Sequence, residues 1–367
     1  MKIAVVVGTR PEIIKMAPVV RACIRRGIPH LLLHTGQHYS FEMDGVFFQE
    51  LDLPRPHRNL EVGSGSQAYQ IAAILSGMEP ILDEERPDVV LVEGDTNSVL
   101  AAALAANKLG IRVGHIEAGL RSYDRRMPEE INRILTDHVS DFLFAPTEQA
   151  RATLRGEGIA EERIHVTGNT VVDELLLQQA RAARSGLLER FGVEPQRFAL
   201  ATVHRMENVE FPERLRDIFR GLAGAAHALG IPVLAALHPR TQTRLKEFGI
   251  EVDGAICVLP PLGYLDFLGL HSRATLTLTD SGGLQEEACC LHVPCVTLRD
   301  NTERPESVEA GANVLAGADP ARIVECARQM SRRPRDWRNP FGDGRSGLRI
   351  VDLLVESERP SRASGRA

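Results

Sequence analysis

The chain has 367 residues, enough for about two domains, each able to bury a core of its own. Hydrophobic residues make up 43% and charged residues 25%, the balance of a soluble globular protein rather than a disordered or fibrous one. Lys and Arg total 43 against 49 Asp and Glu, a formal charge of −6 with 5% aromatics, which argues against a nucleic-acid binder but not against a local phosphate site.

Short apolar runs fall at residues 2–8, 30–35, 88–93, 111–116, 141–145 and 163–168. Helical patterns lie between them at 11–26, 67–85, 96–109, 129–139 and 147–157. Continuous Val, Ile and Leu mark strands buried on both faces, and the alternation predicts a doubly wound α/β domain. The pattern repeats, with apolar runs at 198–203, 231–237, 255–259, 274–279 and 293–298 and helices that include 212–229 and 282–291. The junction is expected near 168–172, followed by a helix over 173–190. That gives a first domain over 1–170 and a second over 171–343, with residues 359–367, rich in Ser, Arg, Gly and Pro, expected to be a disordered tail.

The opening run meets Gly8, Thr9 and Arg10 too soon for a signal peptide, and no apolar run reaches the ~18 residues of a membrane span. The cysteines (Cys23, Cys257, Cys289, Cys290, Cys295 and Cys326) form no CxxC pair, and no His cluster has zinc spacing. They read as buried thiols of a reducing compartment, so a cytoplasmic protein without metal is expected.

Ligands of open α/β sheets bind beyond the carboxyl ends of the strands, so those positions hold the candidates. Arg10 lies at the first strand-to-helix turn, Pro11 suits the first helical position, and Lys15 follows about one turn later, an arrangement fit for an anion. No GxGxxG follows a strand, so no dinucleotide cofactor is expected. Asp95, Glu117 and Glu129 follow successive elements of the first domain, with Arg133 one turn beyond Glu129. Helix capping accounts for one such carboxylate more readily than for three, and crowded carboxylates shift one another's pKa to give both an acid and a base. In the second domain His204 and Arg205 end one strand and His238 another, while Ser281, Gly282 and Gly283 open a helix that carries Glu287. Unblocked amides at that helix start suit an anion, and a Glu in its first two turns can accept from the vicinal hydroxyls of a ribose. Together these read as a nucleoside-diphosphate site.

The motifs Gly8-Thr9-Arg10-Pro11-Glu12, Thr35-Gly36-Gln37-His38, Gly94-Asp95-Thr96, His115-Ile116-Glu117-Ala118-Gly119-Leu120-Arg121, Pro128-Glu129-Glu130, Thr167-Gly168-Asn169-Thr170, His204-Arg205, the run 279–288, Thr302-Glu303-Arg304-Pro305-Glu306 and Asn339-Pro340-Phe341-Gly342-Asp343-Gly344 resemble, in order, those of the non-hydrolysing UDP-N-acetylglucosamine 2-epimerases. The resemblance implies a glycosyltransferase-B-like fold, two Rossmann-like domains facing a cleft, with a C-terminal helix near 344–358 returning to the first domain. It implies a homodimer, without metal or cofactor, that interconverts UDP-GlcNAc and UDP-ManNAc through elimination of UDP to a bound 2-acetamidoglucal and its re-addition. ManNAc units of that kind feed surface polysaccharides. Its substrate-site residues carry over to Arg10, Lys15, Asp95, Glu117, Glu129, Arg133, His204, Phe267, Ser281, Gly282, Gly283, Glu287 and Arg304. On this reading Asp95, Glu117 and Glu129 move protons, and His204 with Arg10 and the 281–283 helix start holds the diphosphate.

The chain departs from the family at 61–67, which lacks the Arg-Gln pair used by bacterial members for an allosteric UDP-GlcNAc and leaves Gln37, His38 and Gln67 as the expected remnant of that site. It also has Met206 where a second Arg is common. A hydrolysing epimerase, a 2-epimerase of a related UDP-diacetamido uronate and a glycosyltransferase stay open as alternatives. Transfer has no need of three carboxylates in the first domain.

Overall fold

The structure, a computed structural model, describes residues 1–37, 41–184 and 186–358. Residue His38 and the expected tail at 359–367 lie outside them. The chain forms two compact units, Met1–Glu174 together with the chain from Phe341 onward, and Leu175–Pro340.

The first unit alternates strand and helix as β1 (Ile3–Val7), α1 (Arg10–Arg26), β2 (His30–His34), α2 (Phe41–Glu50), β3 (Arg58–Asn59), α3 (Gln67–Glu85), β4 (Val89–Glu93), α4 (Asn97–Lys108), β5 (Arg112–Ile116), α5 (Pro128–Val139), β6 (Phe142–Ala145), α6 (Glu148–Gly156) and β7 (Ile164–Val166). Then α7 (Thr170–Ala182) leads on to the second unit. All seven strands are parallel, in the order β3-β2-β1-β4-β5-β6-β7. The order reverses between β1 and β4, so their carboxyl ends, with the turns Gly8–Arg10 and Gly94–Thr96, flank a switch point where such sheets bind ligands. Every residue of β1 and β4 is buried, as continuous apolar runs covered on both faces require.

The second unit continues with α8 (Leu187–Arg190), β8 (Ala199–Thr202), α9 (Met206–Val209), α10 (Pro212–Leu229), β9 (Val233–Ala235), α11 (Pro239–Glu247), β10 (Ile256–Val258), α12 (Tyr264–His271), β11 (Leu276–Thr279), α13 (Gly282–Cys290), β12 (Cys295–Thr297), α14 (Pro305–Glu309), β13 (Asn313–Leu315) and α15 (Pro320–Ser331). Its parallel sheet runs β10-β9-β8-β11-β12-β13, with the switch point between β8 and β11. The final helix, α16 (Ser346–Ser357), belongs to the first unit and packs on α1, where Gly347 lies against the Pro18 backbone. The carboxylate of Asp173 accepts from the amides of Ser346 and Gly347, holding the start of that helix.

Several elements differ from the sequence expectation. The helix expected over 173–190 ends at Ala182, and Leu187–Arg190 forms a separate turn capped by Gly186, because Ser and Gly are weak helix formers. Strands β3 and β13 were not expected, since Arg58-Asn59 is polar and short and Asn313-Val314-Leu315 offers too few apolar residues to make a run. Helix α2 carries Gly45 in its middle, which weakens its helical signal.

Candidate active site

In the first unit the site begins where β1 meets α1. A Cβ on Gly8 would stand 2.1 Å from Ser98 Oγ and 2.4 Å from Thr35 Oγ1, so the turn passes only with glycine there. Glu12, in the first turn of α1, folds back to accept from the Gly8 amide at 2.5 Å, from Thr96 Oγ1 at 2.7 Å and from Thr9 Oγ1 at 3.1 Å. Burial lifts its carboxyl to about 7 against the pull of those hydrogen bonds, and the Asp95 charge adds to the rise.

One turn along α1, Lys15 reaches two carboxylates at once. Its ammonium donates to Glu93 Oε1 at 2.9 Å, at the end of β4, and to Glu117 Oε1 at 2.6 Å, just past β5. Asn169 Nδ2 donates to the same Glu117 oxygen at 2.6 Å. Glu117 is buried and holds φ +68, a left-handed backbone rare for a residue with a side chain and typical of strain kept at a working site. Burial pushes the Glu93 carboxyl well above its ordinary value; Lys15 opposes this and the neighbouring Glu117 charge adds to it. Lys15, expected to face an anion, is thus engaged by two carboxylates.

Asp95 follows β4 through Gly94, whose φ of +85 makes the turn. Its Oδ2 accepts from Arg133 Nη1 at 2.8 Å, and Arg133 Nη2 donates to Glu130 at 2.9 Å. Glu130 also accepts from Ser122 and Tyr123, so it secures the loop before α5. Glu129 lies half-buried in the first turn of α5, suited to the positive helix start, and makes no hydrogen bond or ion pair among the described residues. Arg10 opens α1 with its guanidinium 5.1 Å from the centroid of the Phe47 ring.

Of the expected remnant, buried Gln37 accepts from the Ser98 amide at 3.0 Å and from its hydroxyl at 2.6 Å, while Gln67 opens α3 exposed. The residue that reaches the Gln37 carbonyl is instead Gln70.

In the second unit the anchor is Asp280, fully buried at the end of β11. It accepts from the amides of His204 at 2.9 Å and Arg205 at 3.0 Å and from Asn208 Nδ2 at 3.0 Å, and it pairs with His204 Nδ1 at 2.8 Å. Burial raises its carboxyl, but His204, Asn208 and the Arg205 amide outweigh burial and hold it at about 2. His204 is thereby oriented with part of its ring exposed, beside the turn that starts α13. Ser281 caps that helix, and Gly282 and Gly283 form its first turn; the tip of Arg205 stands 4.0 Å from where a Gly282 Cβ would be. Such a helix start, with a guanidinium beside it, offers amides and positive charge to an anion.

Glu287, one turn further along α13, has Oε2 3.6 Å from His271 Nδ1, and Phe267 stacks obliquely on the same imidazole. Arg304 is buried and donates to Glu286 Oε2 at 2.9 Å and to the Glu303 carbonyl at 3.3 Å, so it braces the loop before α14. His238 is exposed and caps α11, its Nδ1 accepting from the Arg240 amide at 3.2 Å. Sequence reasoning passed over Glu12, Glu93 and Asp280. Glu93 and Asp280 are carboxylates at the ends of apolar, doubly covered strands, and Glu12 lies in the first turn of the helix that follows one.

The family model described as UDP-N-acetylglucosamine 2-epimerase matches residues 21–355. The chain belongs to the UDP-N-acetylglucosamine 2-epimerase family. It is 50% identical to the UDP-N-acetylglucosamine 2-epimerase of Methanocaldococcus jannaschii, over 97% of this chain and 99% of that one. Against the Methanococcus maripaludis UDP-N-acetylglucosamine 2-epimerase the figure is 48%, over 98% and 100%. A crystal structure of the M. jannaschii enzyme in complex with UDP-GlcNAc and UDP superposes with a TM-score of 0.92, covering 97% of this chain and all of that one at 49% identity. The calicheamicin glycosyltransferase CalG4, 13% identical with a TM-score of 0.57, shares the fold.

The first unit holds the paired carboxylates Glu93, Asp95 and Glu117, and the second a helix start with the amides of Gly282 and Gly283 in its first turn. Among the described residues no group of three or more His, Cys, Asp or Glu is placed to hold a metal, and no helix is long and apolar enough to cross a membrane.

Proposed function

We propose that the chain interconverts UDP-GlcNAc and UDP-ManNAc by inverting C2 of the sugar. The Lys15 bridge between Glu93 and Glu117 carries this reading, because it ties a candidate base just past β5 to the end of β4, two residues before the Arg133-held Asp95. The C2 proton is not next to a carbonyl, so direct abstraction is slow. Breaking the C1–O bond to UDP as a carboxylate takes the C2 proton gives a 2-acetamidoglucal and free UDP, both retained. Return of a proton to the opposite face of C2, with UDP oxygen re-forming the bond at C1, yields the epimer, and no atom is gained or lost.

That route asks for a base and an acid on opposite faces, drawn from Asp95, Glu117 and Glu129, with Lys15 holding Glu117 and Arg133 holding Asp95. It asks also for stabilisation of the departing diphosphate, which Ser281, Gly282, Gly283, Arg205 and His204 are suited to give, with Arg10 adding charge from α1. Glu287 accepts from the ribose, Phe267 flanks it, and Arg304 and His238 hold the surrounding turns. We further propose that the enzyme works in the cytoplasm as a homodimer and supplies ManNAc units for a surface polysaccharide.

Incubation with UDP-GlcNAc in deuterium oxide, followed by proton NMR, tests this reading. UDP-ManNAc carrying deuterium at C2 is the expected product. Free ManNAc would mean hydrolysis instead, and no exchange would remove the epimerase assignment. A relative 41% identical, the UDP-2,3-diacetamido-2,3-dideoxy-D-glucuronate 2-epimerase of Pseudomonas aeruginosa, makes that uronate the competing substrate to offer in parallel.

A further inference from the structure

A chain of buried amides leads from the loop ahead of α3 to Asp95. Asn132 Nδ2, on α5, donates to the Asp95 carbonyl at 3.0 Å and lies 3.3 Å from Asn97 Oδ1. Asn97 Nδ2, on α4, donates to Gln70 Oε1 at 2.8 Å. Gln70 Nε2, on α3, donates to the carbonyls of Gln37 at 3.0 Å and Gly63 at 2.9 Å. Gln70, Asn97 and Asn132 are all buried.

The direction of this chain is fixed by its ends. Backbone carbonyls only accept, so Asn132 must turn its NH2 toward Asp95 and Gln70 must turn its NH2 toward Gln37 and Gly63. The middle amide then has one arrangement left, its oxygen facing Asn132 and its nitrogen facing Gln70. Flipping any member would set acceptor against acceptor in a site closed to water, where an unmet polar group is costly. The arrangement is therefore all-or-none across three helices.

At its working end the relay meets a second restraint. Arg133, the next residue on α5, holds the Asp95 carboxylate at 2.8 Å, so neighbouring residues pin the main chain and the side chain of Asp95. The preceding Gly94 is secured separately, its carbonyl 2.8 Å from His115 Nε2 and its amide donating to the Ile116 carbonyl at 3.1 Å. The amide relay thus adds a restraint on the Asp95 main chain to those that hold Gly94 and the Asp95 carboxylate.

We infer that Gln70, Asn97 and Asn132 are positioning residues for Asp95, acting as one hydrogen-bonded relay that orients its carboxylate for proton transfer. The inference rests on the proton-transfer role given above to Asp95. It assigns work at a distance to Gln70, which among the described residues makes no hydrogen bond to Asp95 or Asn132.

A double-mutant cycle on the full chain tests it. Gln70→Glu keeps the acceptor for Asn97 and loses the donors to Gln37 and Gly63, and Asn132→Asp loses the donor to Asp95. Each single variant is expected to lower kcat about tenfold with KM within about twofold, and the double variant to fall within about threefold of Asn132→Asp alone, since members of one network do not add. Gln70→Met, an uncharged variant of similar length, repeats the cycle should Gln70→Glu unfold, as thermal melting would show. Multiplying effects, or wild-type kcat in both Gln70 variants, would overturn the relay. Asp95→Asn is the separate control: persistence of C2 exchange there would reject the role of Asp95 itself, whereas loss of exchange with an additive cycle would reject only the relay.

Discussion

The ammonium of Lys15 stands 2.6 Å from Glu117 Oε1 and shares itself with Glu93 at 2.9 Å, so one cation balances two buried carboxylates. Removing it with Lys15→Met leaves both carboxylates without that partner, a change that costs about 3–5 kcal/mol where a buried pair is broken, less whatever is relieved by protonation. The expected result is a lower urea midpoint together with a loss of C2 deuterium exchange of at least about 100-fold, the scale of a general acid–base contribution. Glu117→Gln keeps the shape of the site and should abolish exchange while leaving UDP affinity within a few-fold, measured by calorimetry. Near-normal exchange in Glu117→Gln would remove Glu117 from the chemistry.

Glu12 couples stability to pH. Its carboxyl is raised from 4.5 to about 7 in the folded chain, so the folded state favours the protonated form. The stabilisation is fully present below about 4.5 and is lost as pH rises through about 7; at roughly 1.4 kcal/mol per pKa unit it amounts to about 3 kcal/mol. Glu12→Gln, a mimic of the protonated form, should flatten this dependence. Denaturation curves of both proteins between pH 5 and 8 should show wild type losing ground to the variant as pH rises, and parallel curves would count against a buried neutral Glu12.

The two doubly wound sheets were legible because their strands are continuous apolar runs and their helices begin at Pro or capping residues, as at Pro11, Pro128 and Pro212. The turn opening α13 was legible for the same local reason: Ser281-Gly282-Gly283 declares a helix start. What local pattern could not give is pairing across long sequence separations. Lys15 and Glu117 meet only because β1, β4 and β5 lie side by side, and Asp280 matters only because β8 delivers His204 and Arg205 to it. Glu93 and Glu12 were hidden by their positions, one counted as the end of a strand and the other as the first turn of a helix. Arg304 and His238 read as phosphate ligands by type, and in the fold Arg304 also donates to buried Glu286 while His238 accepts from a helix amide.

Gly347 sets how closely α16 can lie on α1. A Cβ there would stand 2.7 Å from the Pro18 carbonyl carbon, which is backbone and cannot yield. Gly347→Val should therefore push α16 away and weaken the amide contacts of Asp173 with Ser346 and Gly347. Overpacking of this kind costs about 1–3 kcal/mol. Limited proteolysis should cut the variant ahead of α16 faster than wild type, and hydrogen exchange in α1 should rise with it. Unchanged protection of both helices would show that the close approach is not needed.

Asp280 holds the second site together from beneath. Four groups converge on it, the amides of His204 and Arg205, Asn208 Nδ2 and the His204 imidazole. Asp280→Asn puts an NH2 where one of these donors points and removes the charge that fixes the imidazole, so His204 loses its orientation beside the α13 start. UDP binding should weaken about 10–100-fold, on the scale of 1.4 kcal/mol per tenfold, with a matching loss of C2 exchange. The acid limb of stability reports the same group. Its folded value, about 2, lies below the ordinary 3.8, so its stabilisation is present above about 3.8 and disappears as pH falls through about 2. Wild type should therefore lose stability relative to Asp280→Asn between those pH values, by about 2 kcal/mol in acid denaturation at the 1.4 kcal/mol that each pKa unit represents. A variant that binds UDP normally and unfolds in acid in step with wild type would show that His204 is held by some other means.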